Sequence, residues 1–400
     1  MVDRAGRASI GFDVVVTAPL DGVVVVALEQ AVAAPFATRH LADLGATVLK
    51  VERPDVGDFA RAYDTNMAGQ STFFVWANRG KQSIALDLKA DDDRATFDAL
   101  VAGADVFIQN LSPAAAERAG VLAAQLVERY PELIACDISG YGLGGPRTDD
   151  KAYDLAIQAE AGAMALTGSA DEMSKIGFSV ADICAGMYAF SSILAALYRR
   201  TTTGEGAAIS LSMLECLTEW TSVHVYNAAH ADKTPVRAGH RHAAIAPYGL
   251  YELRDGSRVL VVVQSNPEWA SFARHVLADE SLIDDHRFAE NPDRIANVEE
   301  LEVAIRRVFG SVEPDEAIAR LERGRIAWAR ARTPIEVWEH EQHAARDRFV
   351  DVETPTGPTT MFRSPLNISG MPDASPSVPG LGEHDAATVE QIRGRGRPDA

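Results

Sequence analysis

The chain has 400 residues, of which 47% are hydrophobic and 24% charged, an ordinary globular composition with enough length for two domains. Its formal charge of -19 excludes a general binder of nucleic acid or of a membrane surface, since both need a basic face. Any anionic ligand must therefore meet a local group of cations.

The first predicted elements alternate. "VVVVAL" is a short β-branched run, "APFATRHLADLG" has helical spacing closed by glycine, and "TVLKVE" is again a strand, which together make a β-α-β unit. After the strand "QSIALDL", the helical "DDDRATFDALVAGA" leads to "DVFIQN", and "AAQLVERYP" leads to "LIACDIS". Repeats of this kind predict a parallel sheet covered by helices, with ligands gathered at the carboxyl ends of the strands. "DISGYGLGGP" follows, and its Gly140, Gly142 and Gly145 satisfy the G-x-G-x-x-G spacing. The next residues, Pro146 to Lys151, are polar and have no helical periodicity, so a glycine-rich loop at a strand end is favoured over a dinucleotide cradle.

From Phe178 the pattern changes. "SVADICAGMYAFSSILAALYRRTTTGEG" predicts a helix of about 17 residues with Asp182 ahead of its apolar stripe and Thr-Gly closing it. A polar loop follows at Ala231 to Ala246, then "YGLYELRDGSRVLVVVQ" reads as a hairpin turning at Asp255-Gly256, then acidic helices run to about His340. The division expected is 1–228 for a large domain, 229–340 for a smaller α+β domain, and 341–400 returning to the first. Cys136, Cys184 and Cys216 lie in apolar runs without C-x-x-C spacing, which predicts reduced thiols in a cytoplasmic protein, with no disulfide frame and no zinc site. The opening "MVDRAGRASIGFD" lacks a signal-peptide core and no long unbroken apolar run occurs, so no membrane association is expected.

Three groups could carry chemistry. Asp182 is either a helix cap, accepting backbone N–H bonds, or a carboxylate nucleophile held at the same helix end. Arg53, Lys81 and Arg118 lie near strand ends; singly each reads as solvated, while together they would hold a phosphate-bearing ligand. His240, Arg241 and His242 form a cluster in the polar loop, with no further ligand-spaced side chain to suggest a metal.

"GATVLKVERPDVGD", "ANRGKQSIALDLK", "DVFIQNLSPAAAERAG", "SGYGLGGP", "VADICAGMYAFSSILAALYRRTTTGEG" and "PGLGEH" occur in the order of the landmarks of a known family. Over residues 20 to 388 the chain resembles the class III coenzyme A transferases, the CaiB/BaiF group that includes formyl-CoA transferase and α-methylacyl-CoA racemase. The resemblance implies an α/β protein with a Rossmann-like large domain, a smaller α+β domain and an interlocked homodimer. It makes Asp182 the nucleophile of an acyl-CoA:carboxylate CoA-transferase that works through an aspartyl-acyl anhydride and an aspartyl-CoA thioester. Coenzyme A enters as acyl-CoA substrate and no permanent cofactor is implied. CoA contacts fall on Val32, Arg53, Lys81, Asn110, Leu111 and Arg118, and Gln30 and Tyr141 face the acyl transfer centre.

Departures from the family pattern matter too. Pro113-Ala114 replaces the usual Pro-Gly, and no glycine run is evident near Tyr251 to cover the aspartate. Tyr153 stands where the racemases carry a histidine, and a phenol exchanges protons far less readily near neutral pH than an imidazole. That favours transfer over the alternatives, racemisation or isomerisation on the same scaffold and CoA binding without catalysis. "RAGHRHAAIAPYG" resembles the stretch found in relatives that use small dicarboxylates, so Tyr153, His240, Arg241 and His242 are expected to bind a succinate-, itaconate-, mesaconate- or malate-like acid.

Overall fold

A computed structural model describes residues 18–231, 237–372, 376–384, 388 and 390. The polar loop expected at Ala231 to Ala246 lies in part outside these residues. The described part divides into two compact units: residues up to Ala161, Phe178–Trp220 and those from Arg348 onward form one, and Gly162–Gly177 with Thr221–Asp347 form the other. The excursion Gly162–Gly177 thus groups with the second unit, a detail absent from the division at 228/229 and 340/341.

The first unit is built on β1 (Val24–Leu28), α1 (Ala33–Asp43), β2 (Thr47–Glu52), α2 (Thr72–Asn78), β3 (Lys81–Ala85), α3 (Asp91–Ala102), β4 (Val106–Gln109), α4 (Pro113–Ala119), α5 (Ala123–Arg129), β5 (Ile134–Ser139) and α6 (Asp154–Glu160). The short α7 (Ala163–Leu166) belongs to the excursion, and α8 (Val180–Thr203), β6 (Ala207–Ser212) and α9 (Met213–Ala231) follow. Six strands form one sheet in the order β3-β2-β1-β4-β5-β6, all parallel. Strands buried on both faces need apolar residues without alternation, which is why "VVVVAL" and "LIACDIS" read as runs. Val26, Leu49, Phe107 and Ala135 pack on one side with Phe97, Leu100 and Leu126 from α3 and α5.

α8 is longer than the sequence pattern suggests. It spans 24 residues and stops at Gly204, whose φ of 73° is left-handed and suits a glycine C-terminus. Its length and composition match those of a membrane-crossing helix, yet Val180, Ala181, Cys184, Ala185, Ala189 and Ile193 are buried against the rest of the first unit. α1 runs close beside it. A Cβ on Gly186 would come within 2.6 Å of the Ala33 carbonyl oxygen and 3.1 Å of the Phe36 ring, so only glycine lets the two helices approach this far.

In the second unit β7 (Tyr248–Glu252), β8 (Arg258–Val262) and β9 (Ala327–Arg330) form an antiparallel sheet, with Gly256 left-handed at the predicted turn. It is backed by α10 (Asn266–Phe272), α11 (Asn291–Ala296), α12 (Val298–Phe309) and α13 (Pro314–Arg323), around Tyr251, Trp269, Phe272 and Phe309.

Candidate active site

The sheet order reverses between β1 and β4, and ligands of open parallel sheets bind at the carboxyl ends of strands beside such a point. The turn Glu29–Val32 leaves β1 there and Asn110 leaves β4. The Asn110 side chain brackets Gln30: its Oδ1 accepts from the Gln30 N–H at 2.9 Å, and its Nδ2 donates to the Gln30 carbonyl at 2.8 Å. Asn110 therefore holds the turn, with its second amide N–H left over from these two bonds. Ala31 has φ of 61°, a left-handed conformation that costs an alanine, and its N–H donates to Asp58 Oδ1 at 3.0 Å. Val32 is buried ahead of α1, and its carbonyl accepts the Phe36 N–H at 2.8 Å.

Asp182 occupies the third position of α8 and is not its cap. That work falls to Asp154 in the first turn of α6. Its Oδ1 accepts the Ala181 N–H at 2.8 Å and a longer contact from the Asp182 N–H at 3.5 Å, while Oδ2 takes the Gln158 amide at 2.7 Å. The Asp182 carboxyl makes no hydrogen bond among the described residues. Burial, and then the charge of Asp154, push it up to about 7 from an ordinary 3.8. Residues four apart share a helix face, so Asp182 lies on the side of α8 that carries Gly186 and meets the start of α1. Tyr63 belongs to the same surroundings: burial and the charges of Asp58, Asp182 and Tyr153 raise its phenol.

The glycine loop after β5 now has a physical account. A Cβ on Gly140 would collide with Ala152, and Gly142 and Gly144 are left-handed. Tyr141 is half-buried there, with the Arg147 guanidinium 4.2 Å above its ring. Arg147 in turn is fixed by Asp150 and Glu160. Tyr153, 72% exposed, directly precedes Asp154.

A cleft of about 250 Å³ opens at the carboxyl ends of β1, β2 and β3, bordered by Gln30, Arg53, Leu86, Leu88, Lys89 and Leu111. Arg53 is exposed, with one contact to the Gly57 carbonyl at 3.3 Å. Arg118 is exposed on α4 and does not border the cleft. Lys81 is a correction. It begins β3 instead of ending it, its side chain is fully buried, and its Nζ donates to Glu29 Oε1 at 2.6 Å, the Pro35 carbonyl at 2.9 Å and Asn78 Oδ1 at 2.9 Å. Its ammonium is thus already engaged within the protein. The lysine that borders the cleft beside Arg53 is Lys89, exposed just past the end of β3. A larger hollow of about 540 Å³ near the start of β3 contains Arg79 and Arg348, but both guanidiniums are engaged by Asp43 and by the Phe362 and Ser364 carbonyls. Among the described residues no group of three or more His, Cys, Asp or Glu is placed to hold a metal ion.

An arginine and a lysine over an apolar cleft, beside a helix end bearing an unpartnered carboxyl, suit a ligand with a phosphorylated handle and an electrophilic end. The family model described as CoA-transferase family III matches residues 20–385. The chain belongs to that family. It is a CoA-transferase, an enzyme that moves CoA between an acyl-CoA and a carboxylic acid. It is 33% identical to the acetyl-CoA:oxalate CoA-transferase of Acetobacter aceti, over 94% of this chain and 96% of that one. It is 32% identical to the succinate–glutarate CoA-transferase of Agrobacterium fabrum, again over 94% and 96%. The crystal structure of a CaiB/BaiF family protein from Brucella suis superposes with a TM-score of 0.83 at 32% identity, covering 94% of this chain and all of that one.

In this CoA-transferase, then, Gln30, Arg53 and Leu111 share one cleft, Asn110 holds its wall, and Val32 starts the helix that runs beside Asp182. In the expected acid-binding cluster His240 and His242 are exposed and Arg241 is half-buried. His240 Nδ1 accepts the Leu250 N–H at 3.2 Å, and His242 Nδ1 accepts the Ala244 N–H at 3.1 Å while its ring stacks on Tyr248. Arg241 Nη2 pairs with Glu299 at 3.1 Å, while its Nη1 is buried without a hydrogen-bond partner among the described residues. Sequence reasoning missed Asp154, Asp58, Tyr63 and Lys89. Only Lys89 had a usable signal, its place after a parallel strand.

Proposed function

We propose that Asp182 is the nucleophile of the transfer and that both acids exchanged are short dicarboxylates. The observation that carries the first part is its carboxyl: partly buried, without a hydrogen-bond donor, and close to neutral pH in its titration. Such an oxygen is more basic and less well solvated than a surface carboxylate, and both raise its nucleophilicity. It adds to the thioester carbonyl of the donor, CoA leaves as thiolate, and a mixed anhydride remains on Asp182. The thiolate then attacks the aspartyl carbonyl, which releases the donor carboxylate and leaves an aspartyl-CoA thioester. The acceptor carboxylate displaces thiolate from that thioester, and the thiolate attacks the acceptor's acyl carbon, which frees Asp182. No proton is consumed over the cycle. Arg53 and Lys89 would hold the phosphates of CoA, and Gln30 and Tyr141 would flank the reacting carbonyl.

The dicarboxylate reading rests on the relatives: oxalate, succinate and glutarate are three of the four acids they name, the fourth being acetate, carried as acetyl-CoA. Arg241 stays the proposed partner of the acid's second carboxylate, since the exposed Glu299 engages only its Nη2 and its Nη1 has no partner among the described residues. A second copy of the chain is proposed as partner, in the interlocked arrangement of the family. Large apolar side chains at Tyr198 on α8 and at Trp220, Val223 and Tyr226 on α9 are exposed and support such a partner. A reducing, cytoplasmic setting suits the three buried free thiols. The test uses Asp182→Ala and hydroxylamine. Wild type supplied with succinyl-CoA and a second dicarboxylate should form the new thioester and yield a hydroxamate on Asp182, while the variant should bind acyl-CoA and do neither. Exchange by the alanine variant refutes the nucleophile, and equal use of butyryl-CoA and succinyl-CoA by wild type refutes the dicarboxylate reading.

A further inference from the structure

The turn between β1 and α1 is gripped by a set of buried charges, of which Glu29 and Asp58 also line the floor of the cleft. Asp58, Lys50 and Glu29 are all nearly inaccessible. Asp58 Oδ1 accepts from the Ala31 N–H at 3.0 Å and the Ala60 N–H at 2.9 Å, and its Oδ2 accepts from Lys50 Nζ at 2.9 Å. Lys50 also donates to the Glu29 carbonyl at 3.3 Å, and Glu29 is held by the Thr38 hydroxyl at 2.7 Å and by Lys81. Counted along the backbone, the Glu29 carbonyl, the Gln30 N–H and carbonyl, and the Ala31 N–H each have a side-chain partner from β2, from the segment after it, or from the end of β4.

A network of this kind is a poor way to gain stability, because desolvating the charges offsets most of their attraction. It is a good way to fix geometry. Ala31 needs such fixing, since a left-handed alanine at φ of 61° is disfavoured by about tenfold or more in an unconstrained chain. The position matters for transfer because α1 begins two residues later, and its Ala33 carbonyl lies against the α8 face shared by Gly186 and Asp182.

We propose that Asp58, seated by Lys50, is a positioning residue for CoA transfer: it holds Ala31 in the left-handed conformation and so fixes Gln30 and the start of α1 beside Asp182. The inference rests on the reading of Asp182 as nucleophile. Asp58→Asn keeps the shape and one acceptor but sets an amide N–H against the Lys50 ammonium. Its kcat should fall about 100-fold, with KM for acyl-CoA within about threefold of wild type, as for loss of alignment and not of binding. Adding Ala31→Gly should recover about tenfold of the lost kcat, since glycine takes a positive φ freely.

A merely structural role for Asp58 predicts instead a lower Tm, with kcat and KM changing together and no recovery from Ala31→Gly; that result overturns the proposal. Should Asp58→Asn fail to fold, the pair Lys50→Gln/Asp58→Asn removes both buried charges together. Wild-type kcat in that folded pair overturns the proposal equally, and a selective loss of kcat supports it. Asp182→Ala separates the two layers: an active Asp182→Ala enzyme removes the underlying reading, whereas an inactive one beside an unimpaired Asp58→Asn enzyme removes only the positioning role.

Discussion

Replacing Asp182 by asparagine should make the protein more stable at pH 8, not less. Asparagine preserves the shape and adds no charge, and no hydrogen bond to the carboxylate is lost because none is made among the described residues. The displacement of the carboxyl from 3.8 to about 7 corresponds to about 4 kcal/mol of unfavourable free energy once the group is ionised, at about 1.4 kcal/mol per pH unit. The dipole of α8 favours a negative charge in the first turn and takes back about 1 kcal/mol, which leaves about 3 kcal/mol. The sign follows from proton uptake. Between pH 3.8 and about 7 the folded state binds more protons at this site than the unfolded state, so stability falls as pH rises through that window. Below it the carboxyl is protonated in both states and the penalty vanishes. Urea unfolding of wild type and Asp182→Asn at pH 8 and at the lowest pH where both stay folded would measure this. The variant should be stabilised by about 2–4 kcal/mol at pH 8, and the gap should close as the pH falls. A variant less stable than wild type at pH 8, by the ~1 kcal/mol that a lost cap costs, would refute the reasoning and return Asp182 to a capping role.

Two further expectations follow from the site. Lys89→Ala should raise KM for acyl-CoA by about tenfold at little cost to kcat, as for a phosphate contact made equally in ground and transition states, whereas Lys81→Met should act on stability and not on KM. In steady-state assays, kcat/KM should decline as pH falls through about 7, where Asp182 loses its charge. Asp154→Asn should move that acid limb to lower pH, since it removes the neighbouring charge and keeps an oxygen to accept the Ala181 N–H; an unmoved limb would mean that Asp182 does not feel Asp154.

How legible each part was in the sequence depended on how local its cause is. The parallel sheet was legible because strands covered on both faces write themselves as β-branched runs, and the hairpin because Asp255-Gly256 names its own turn. Asp182 could be located as a helix-start acid, but deciding whether it caps α8 needed knowledge of who else does. The answer, Asp154, sits 28 residues upstream on another helix, and no spacing rule links the two. Lys81 and Lys89 show a different failure. Both lie in "GKQSIALDLK", one at the start of the strand and one after its end, and strand direction alone already favours the second. Ala31 was invisible for a third reason: glycine or asparagine advertises a left-handed position, and alanine does not.

That alanine, and the exchange of roles between Asp154 and Asp182, express the same conflict at the transfer centre. A carboxylate that caps a helix is stabilised by the N–H groups it accepts, and that stabilisation would have to be given up in attacking a thioester. Placing the cap on α6 removes the conflict: Asp154 satisfies the Ala181 N–H at 2.8 Å while its charge, added to burial, keeps Asp182 near neutral titration. The cost is an ionised group without a donor on a partly buried helix end, about 3 kcal/mol by the reasoning above. Such a group stays in place only if its surroundings are rigid. The close passage of α1 at Gly186 and the charges that grip Glu29, Gln30 and Ala31 provide that rigidity from the α1 side. On the proposed reading of Asp182 as nucleophile, stability sacrificed there and buried charge accumulated at Asp58 are two consequences of one requirement, that a weakly solvated carboxylate meet its thioester in a fixed orientation.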